Sequence, residues 1–125
     1  MILDTNALSA FVEGNRQLLV IIEHQAHLAL PVIVLGEYLY GIHQSRSRAK
    51  YEQWLDTNLR FFEVLAIARE TASHYAEIRR ELKAAGQPIP TNDLWIAALG
   101  REHDLPVVSR DRHFQAVSRL RVLSW

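Results

Sequence analysis

Four carboxylates in this chain occupy positions that ask for a chemical reason. Asp4 follows the apolar run Met1-Ile2-Leu3, and Asp111 comes just after Pro106-Val107-Val108-Ser109. Asp93 begins the apolar stretch Leu94-Trp95-Ile96-Ala97-Ala98, and Glu37 is set among Val32, Ile33, Val34, Leu35, Tyr38 and Leu39. Brought together, such acids suit one kind of chemistry. Mg²⁺ and Mn²⁺ are hard cations that prefer carboxylate and water oxygens. A cation held that way polarises a phosphate, activates water and stabilises the leaving oxygen. Like charges gathered in a dry site also raise one another's pKa until a cation relieves them.

Taken singly, three of the four have a structural reading. Asp4 can cap the helix that follows it, as can Thr5 or Asn6. Asp93 can serve the dipole of its helix, and Asp111 can be a turn residue. Glu37 is harder to dismiss, because its stretch is apolar almost all round and an unpaired carboxylate there is costly.

The elements that must position these acids follow from the apolar pattern. Short strands are expected at Met1–Leu3, at Leu28–Leu30 ended by Pro31, at Phe61–Leu65, at Pro106–Ser109 and at Val122–Leu123. Helices are expected over 5–13 and 15–25, broken at Gly14, then over 32–45, 48–59, 69–85 with Gly86 as terminator, and 92–103. Strands alternating with helices predict an α/β fold with a mostly parallel sheet covered on both faces. In such sheets ligands bind beyond the carboxyl ends of the strands. Asp4 and Asp111 both stand there.

The chain has 125 residues, the length of one domain, and no cysteine, which excludes disulfides and thiolate metal sites. Its longest early apolar run, Leu18–Ile22, is far too short to cross a bilayer, so the reading is a soluble cytoplasmic protein. The formal net charge is zero, which offers no overall basic footprint for nucleic acid. Local basic clusters do occur at Arg46, Arg48 and Lys50, at Arg79, Arg80 and Lys83, and at Arg110, Arg112, Arg119 and Arg121. Such clusters are most often solvated faces. There is no Gly-rich phosphate loop, no G-x-S-x-G and no H-E-x-x-H. His113 reads as a surface or packing residue. A receiver domain would need an acidic pair near the first aspartate and a late lysine. A haloacid-dehalogenase-like phosphatase would need an acid where Asn6 stands.

The ordered segments Leu3-Asp4-Thr5-Asn6, Gly36-Glu37-Tyr38-Leu39-Tyr40-Gly41, Asn92-Asp93-Leu94-Trp95-Ile96-Ala97-Ala98 and Val107-Val108-Ser109-Arg110-Asp111-Arg112-His113-Phe114 are similar to the PIN-domain family. Within it they resemble the VapC-type toxins of bacterial toxin–antitoxin pairs, over the whole of 1–125. The resemblance implies a single PIN-like domain, 1–125, whose central parallel five-stranded sheet is flanked by helices on both faces, with the first and fourth strands adjacent. It implies an endoribonuclease dependent on Mg²⁺ or Mn²⁺, with Asp4, Glu37, Asp93 and Asp111 carrying the metal and the catalysis. Asp4 and Asp93 match direct ligands best. Thr5, Asn6 and Ser109 match positions that orient this shell or touch phosphate, Ser109 standing where the family often has threonine. Arg110 or Arg112 would steady the RNA phosphate. The implied partners are RNA, a small antitoxin and a second copy of the chain. Phe11, Leu18, Leu19, Tyr38, Tyr40 and Trp54 are candidates for the antitoxin groove, with core packing as the other reading. Two further functions stay open, an RNA-processing nuclease without toxin duty and a non-catalytic RNA- or protein-binding module.

Overall fold

Five short apolar segments supply the framework in this computed structural model, which describes residues 1–125. They are β1 (Ile2–Leu3), β2 (Leu28–Pro31), β3 (Phe62–Leu65), β4 (Val107–Val108) and β5 (Val122–Leu123). All neighbours pair in parallel, in the order β3-β2-β1-β4-β5. Ile2 lies opposite Ala29 on one side and Val107 on the other, and Leu3 lies opposite Val108. Ile2, Leu3, Val107 and Val108 are fully buried, as central strands covered on both faces require. At the β3 edge only Phe62 and Leu65 are buried, and Glu63 and Val64 face outward.

Six helices connect the strands: α1 (Thr5–Val12), α2 (Arg16–Glu23), α3 (Val32–His43), α4 (Arg48–Asn58), α5 (Arg69–Ala84) and α6 (Thr91–His103). Caps set their limits. The Asp4 carboxylate accepts from the Ala7 N–H at 2.7 Å and starts α1. Asn15 accepts from Gln17 and Leu18 at 3.1 Å and starts α2. Gly86 closes α5 in the left-handed region, at φ 68°, where a side chain would be strained. Several helices stop one or two residues short of the expected ends. Phe61, expected to open the third strand, belongs instead to a 3-10 turn over Leu59–Phe61. A second 3-10 turn, Arg112–Ala116, had no counterpart among the expected elements; Asp111 caps it and the fully buried Phe114 pins it.

The strand order carries the functional geometry. From β1 the chain steps outward to β2 and β3, then crosses back to β4 and continues to β5. Right-handed crossovers put α1 to α4 on one face and α5 with α6 on the other. The direction of winding reverses between β1 and β4, which is where an open α/β sheet leaves a crevice at its carboxyl edge. Asp4 and Ser109 are the first residues beyond those two strands.

The core joins both layers, with Leu8, Leu18 and Val34 on one face and Ile78, Ile96 and Leu99 on the other. Phe11 makes edge-on contacts with Trp54 and Phe62, each at 5.8 Å between ring centroids. Of the candidate groove residues, Leu18 and Tyr38 are therefore core and Phe11 and Trp54 pack against it, while Tyr40 is 66% exposed. At Gly100 an added Cβ would lie 2.7 Å from Leu120 Cδ1 and 3.2 Å from the Leu105 carbonyl, so glycine lets α6 approach β4 closely. No helix is long and apolar enough to cross a membrane.

Candidate metal and active site

Asp4 is the innermost acid, only 4% exposed. Its Oδ1 is committed to the α1 cap, and its Oδ2 accepts a hydrogen bond from the Ser109 hydroxyl. Ser109 is itself buried, and its oxygen accepts from the Asp111 N–H at 2.9 Å. One hydroxyl thus ties the end of β1 to the end of β4. Burial pushes the Asp4 carboxyl above the usual range, with Asp93 and Asp111 adding to the rise and the Ser109 and Ala7 hydrogen bonds opposing it.

Asp93 stands in the first turn of α6 and is half-buried. Its pKa is also raised, chiefly by burial, while His113 pulls it down and Asp111 and Glu37 push it up. His113 Nδ1 lies 2.9 Å from Asp93 Oδ2 and 2.9 Å from Asp111 Oδ1, so one ring nitrogen bridges two carboxylates. Ligand atoms of Asp93, Asp111 and His113 all fall within 4.8 Å of one another. Oxygens on opposite sides of an ion with bonds of about 2.1–2.4 Å would be separated by about that much.

Glu37 reaches the group from α3. Its Oε2 accepts from Thr5 Oγ1 at 2.5 Å, and its Oε1 accepts from the Asn92 side-chain amide. The apolar helix is not buried on all sides: Val32 and Tyr40 are exposed, and Glu37 is half-buried at the crevice rimmed by α1 and α6, which lowers the cost of its charge.

Charge crowding on hard oxygen donors, with two carboxyls raised toward protonation, is the signature of a site completed by a cation. Asp93, Asp111 and His113 form the one group with ligand atoms close enough to share an ion, and Asp4 and Glu37 are near enough to act on its charge, a carboxylate-rich donor set that fits Mg²⁺ or Mn²⁺. Asn6 is exposed on α1 beside the site. The arginines separate. Arg110 lies over the Trp125 ring at 4.7 Å and donates to the Trp125 carbonyl at 3.1 Å, so it holds the chain end down. Arg112 is exposed next to Asp111. Arg119 is tied to Glu77 at 2.6 Å and Arg48 to Glu52 at 2.7 Å, so those parts of the basic clusters are ion-paired faces.

Two residues of this constellation were missed as participants by sequence reasoning. His113 was read as surface or packing; it is exposed, but it bridges Asp93 and Asp111. Asn92 was quoted only as the neighbour of Asp93, and it is the donor that draws Glu37 toward α6. The available signal was proximity in the chain, two residues from Asp111 and one from Asp93.

A parallel sheet with acids gathered at its switch point defines a class of α/β proteins suited to cation-assisted phosphate chemistry. The chain belongs to the PIN domain family, whose model matches residues 1–120. It is 28% identical over 99 residues to Ribonuclease VapC2 of Rickettsia felis, covering 78% of this chain and 74% of that one. It is 29% identical over 118 residues to Ribonuclease VapC5 of Mycobacterium tuberculosis, covering 93% and 86%. The fold is similar to that in the crystal structure of VapBC2 from Rickettsia felis bound to a promoter DNA fragment, with TM-score 0.89, 26% identity and coverage of 99% and 97%.

Proposed function

We propose that this protein is a divalent-metal-dependent endoribonuclease serving as the toxin of a toxin–antitoxin pair in the cytoplasm. The observation that carries the reading is the gathering of Asp93, Asp111 and His113 at the carboxyl edge of the sheet, with Asp4 and Glu37 close enough to act on their charge. Kinship with VapC ribonucleases, and with a VapC-containing complex of the same fold, supports RNA as the substrate and a small antitoxin as the partner. The VapC likeness also underlies the proposal of a homodimer.

A bound Mg²⁺ or Mn²⁺ would supply Lewis-acid stabilisation of the phosphate and of the charge that develops on it. Asp4 and Asp93 would be its principal ligands, with Glu37 and Asp111 completing the shell. The chain's own contribution is positioning. Ser109 fixes the Asp4 carboxylate and the Asp111 backbone together, Thr5 and Asn92 fix Glu37, and His113 aligns Asp93 with Asp111. In the cleavage, a water oxygen bonds to phosphorus in line with the P–O3′ bond, which breaks. The phosphate stays on the 5′ oxygen of the downstream fragment, the attacking water gives up a proton to solvent, and the leaving 3′ oxygen takes one up, which ends the upstream fragment in a 3′-hydroxyl. Arg112, exposed beside Asp111, would neutralise the phosphate in this reading, Arg110 being engaged with Trp125.

Induced expression in bacteria tests this reading. Growth should stop, the RNA fragments should carry 5′-phosphates, and Asp4→Asn should restore growth. Asparagine can keep the cap to Ala7 while removing the charge. Arrest that persists unchanged in Asp4→Asn would defeat the proposal.

A further inference from the structure

A cavity of about 260 Å³ lies beside the acidic group, between α1, α3 and α4. Thr5 and Glu37 form its wall toward the acids, and Ser9, Glu13, Tyr38 and Tyr51 are among the other lining residues. We propose that this cavity is a nucleobase subsite for a guanine flanking the scissile phosphate, with Glu13 reading its Watson–Crick edge. The inference rests on the ribonuclease reading and names part of what that site would select.

Position comes first. The Thr5–Glu37 hydrogen bond is shared by the cavity and the acidic group, so a phosphate held at the acids leaves a neighbouring base within reach of the opening. Size comes second. The volume lies just under the lower end of small-molecule pockets, about 300 Å³, which suits one ring system rather than a whole nucleotide. Lining comes third. Tyr51, half-buried on α4, offers aromatic surface, and the core residue Tyr38 closes the floor; unstacked RNA bases are typically held on aromatic side chains and read along their Watson–Crick edges.

Glu13 supplies the discrimination. It ends α1, where the helix dipole disfavours a negative charge, and no cation of the chain lies within ion-pair distance of it. A carboxylate is an acceptor with two oxygens. Guanine presents two adjacent donors, N1–H and the N2 amino group, and matches it in bidentate fashion. Adenine and cytosine place a ring acceptor beside their single amino group, and uracil flanks its N–H with two carbonyls. Each of those sets a lone pair against the carboxylate. Glu13, with no cation beside it, also repels phosphate, which favours a base in the cavity over the RNA backbone.

Single-turnover cutting of a short RNA, with guanosine, inosine, adenosine or uridine placed in turn on either side of the cut, tests the assignment. Inosine keeps N1–H and lacks the amino group. At one position the wild-type rate should fall about tenfold for inosine and about tenfold to a hundredfold for adenosine or uridine. In Glu13→Gln the guanosine-to-inosine ratio should drop to near one. The exposed position leaves the thermal midpoint as a check that this variant is folded. Equal rates with every base, or a ratio preserved in Glu13→Gln, would overturn the subsite and leave the nuclease reading standing. Failure of the wild type to cut any RNA with Mn²⁺ or Mg²⁺ would overturn both.

Discussion

Replacing Ser109 by alanine should cost far more than one hydroxyl on a surface. That oxygen donates to Asp4 Oδ2 and accepts from the Asp111 N–H at 2.9 Å, and it is buried. The bond to a charged carboxylate is worth about 1.5–3 kcal/mol, and the partly buried Asp111 N–H left without a partner adds about 1 kcal/mol. The expected loss is therefore about 2.5–4 kcal/mol. For 125 residues the unfolding entropy is about 0.26 kcal/mol/K, so Tm should drop by about 10–15 °C. Scanning calorimetry with chelator present reads this directly. The hydroxyl opposes the rise of the Asp4 pKa, so its removal should push that carboxyl higher still. The deficit should consequently shrink in acid, where Asp4 is neutral in both proteins. Ser109→Thr keeps the hydroxyl and should recover most of the loss. A Tm change below about 2 °C, or a deficit independent of pH, would refute the idea that Ser109 supports the buried charge.

Three other perturbations follow from the geometry. Burial and like charge raise Asp4 and Asp93 in the folded state, so the metal-free fold binds their protons more tightly than the unfolded chain does. Their stabilising contribution is complete below the ordinary carboxylate range and is lost as pH rises through the folded values. At neutral pH, Mn²⁺ at about a hundred times its Kd should restore about 2.7 kcal/mol, or about 10 °C, and Asp93→Asn should raise Tm in chelator while abolishing that gain. Gly100→Ala should cost about 1–3 kcal/mol in denaturant titration, because its methyl meets Leu120 at 2.7 Å and the Leu105 carbonyl at 3.2 Å. Arg101→Ala should cost about 3 kcal/mol by the same titration, since a guanidinium only 7% exposed would no longer pair with Glu81 at 3.0 Å or donate to the Ser118 carbonyl at 2.6 Å.

The strands and the placement of Asp4 and Asp111 were legible because a buried parallel strand is a continuous apolar run and the site lies beyond its end. Helix ends were less so, since they depend on which cap forms; Gly86 announced itself, whereas Asn15, expected inside its helix, caps it, and α6 ends on Asp104 at φ 52°. The 3-10 turn at Arg112–Ala116 owes its form to the burial of Phe114 and the Asp111 cap, neither of which has a period. Side-chain direction was the main thing hidden. Arg110 and Arg112 are alike in sequence, yet one lies on Trp125 and the other faces solvent. Glu37 was selected by its apolar neighbours, but its tie to the acidic group runs through Thr5 and Asn92, which are distant from it in the chain.

Metal-dependent cutting by a single-acid variant tests the central claim most directly. Purified protein is mixed with RNA and with DNA, each with Mn²⁺, with Mg²⁺ or with chelator, and the wild type is compared with Asp93→Asn. The account predicts RNA products bearing 5′-phosphate and 3′-hydroxyl ends, no products in chelator, and a rate lower by at least about 100-fold in Asp93→Asn. Cutting that survives chelation, or that proceeds at the wild-type rate in Asp93→Asn, would contradict it.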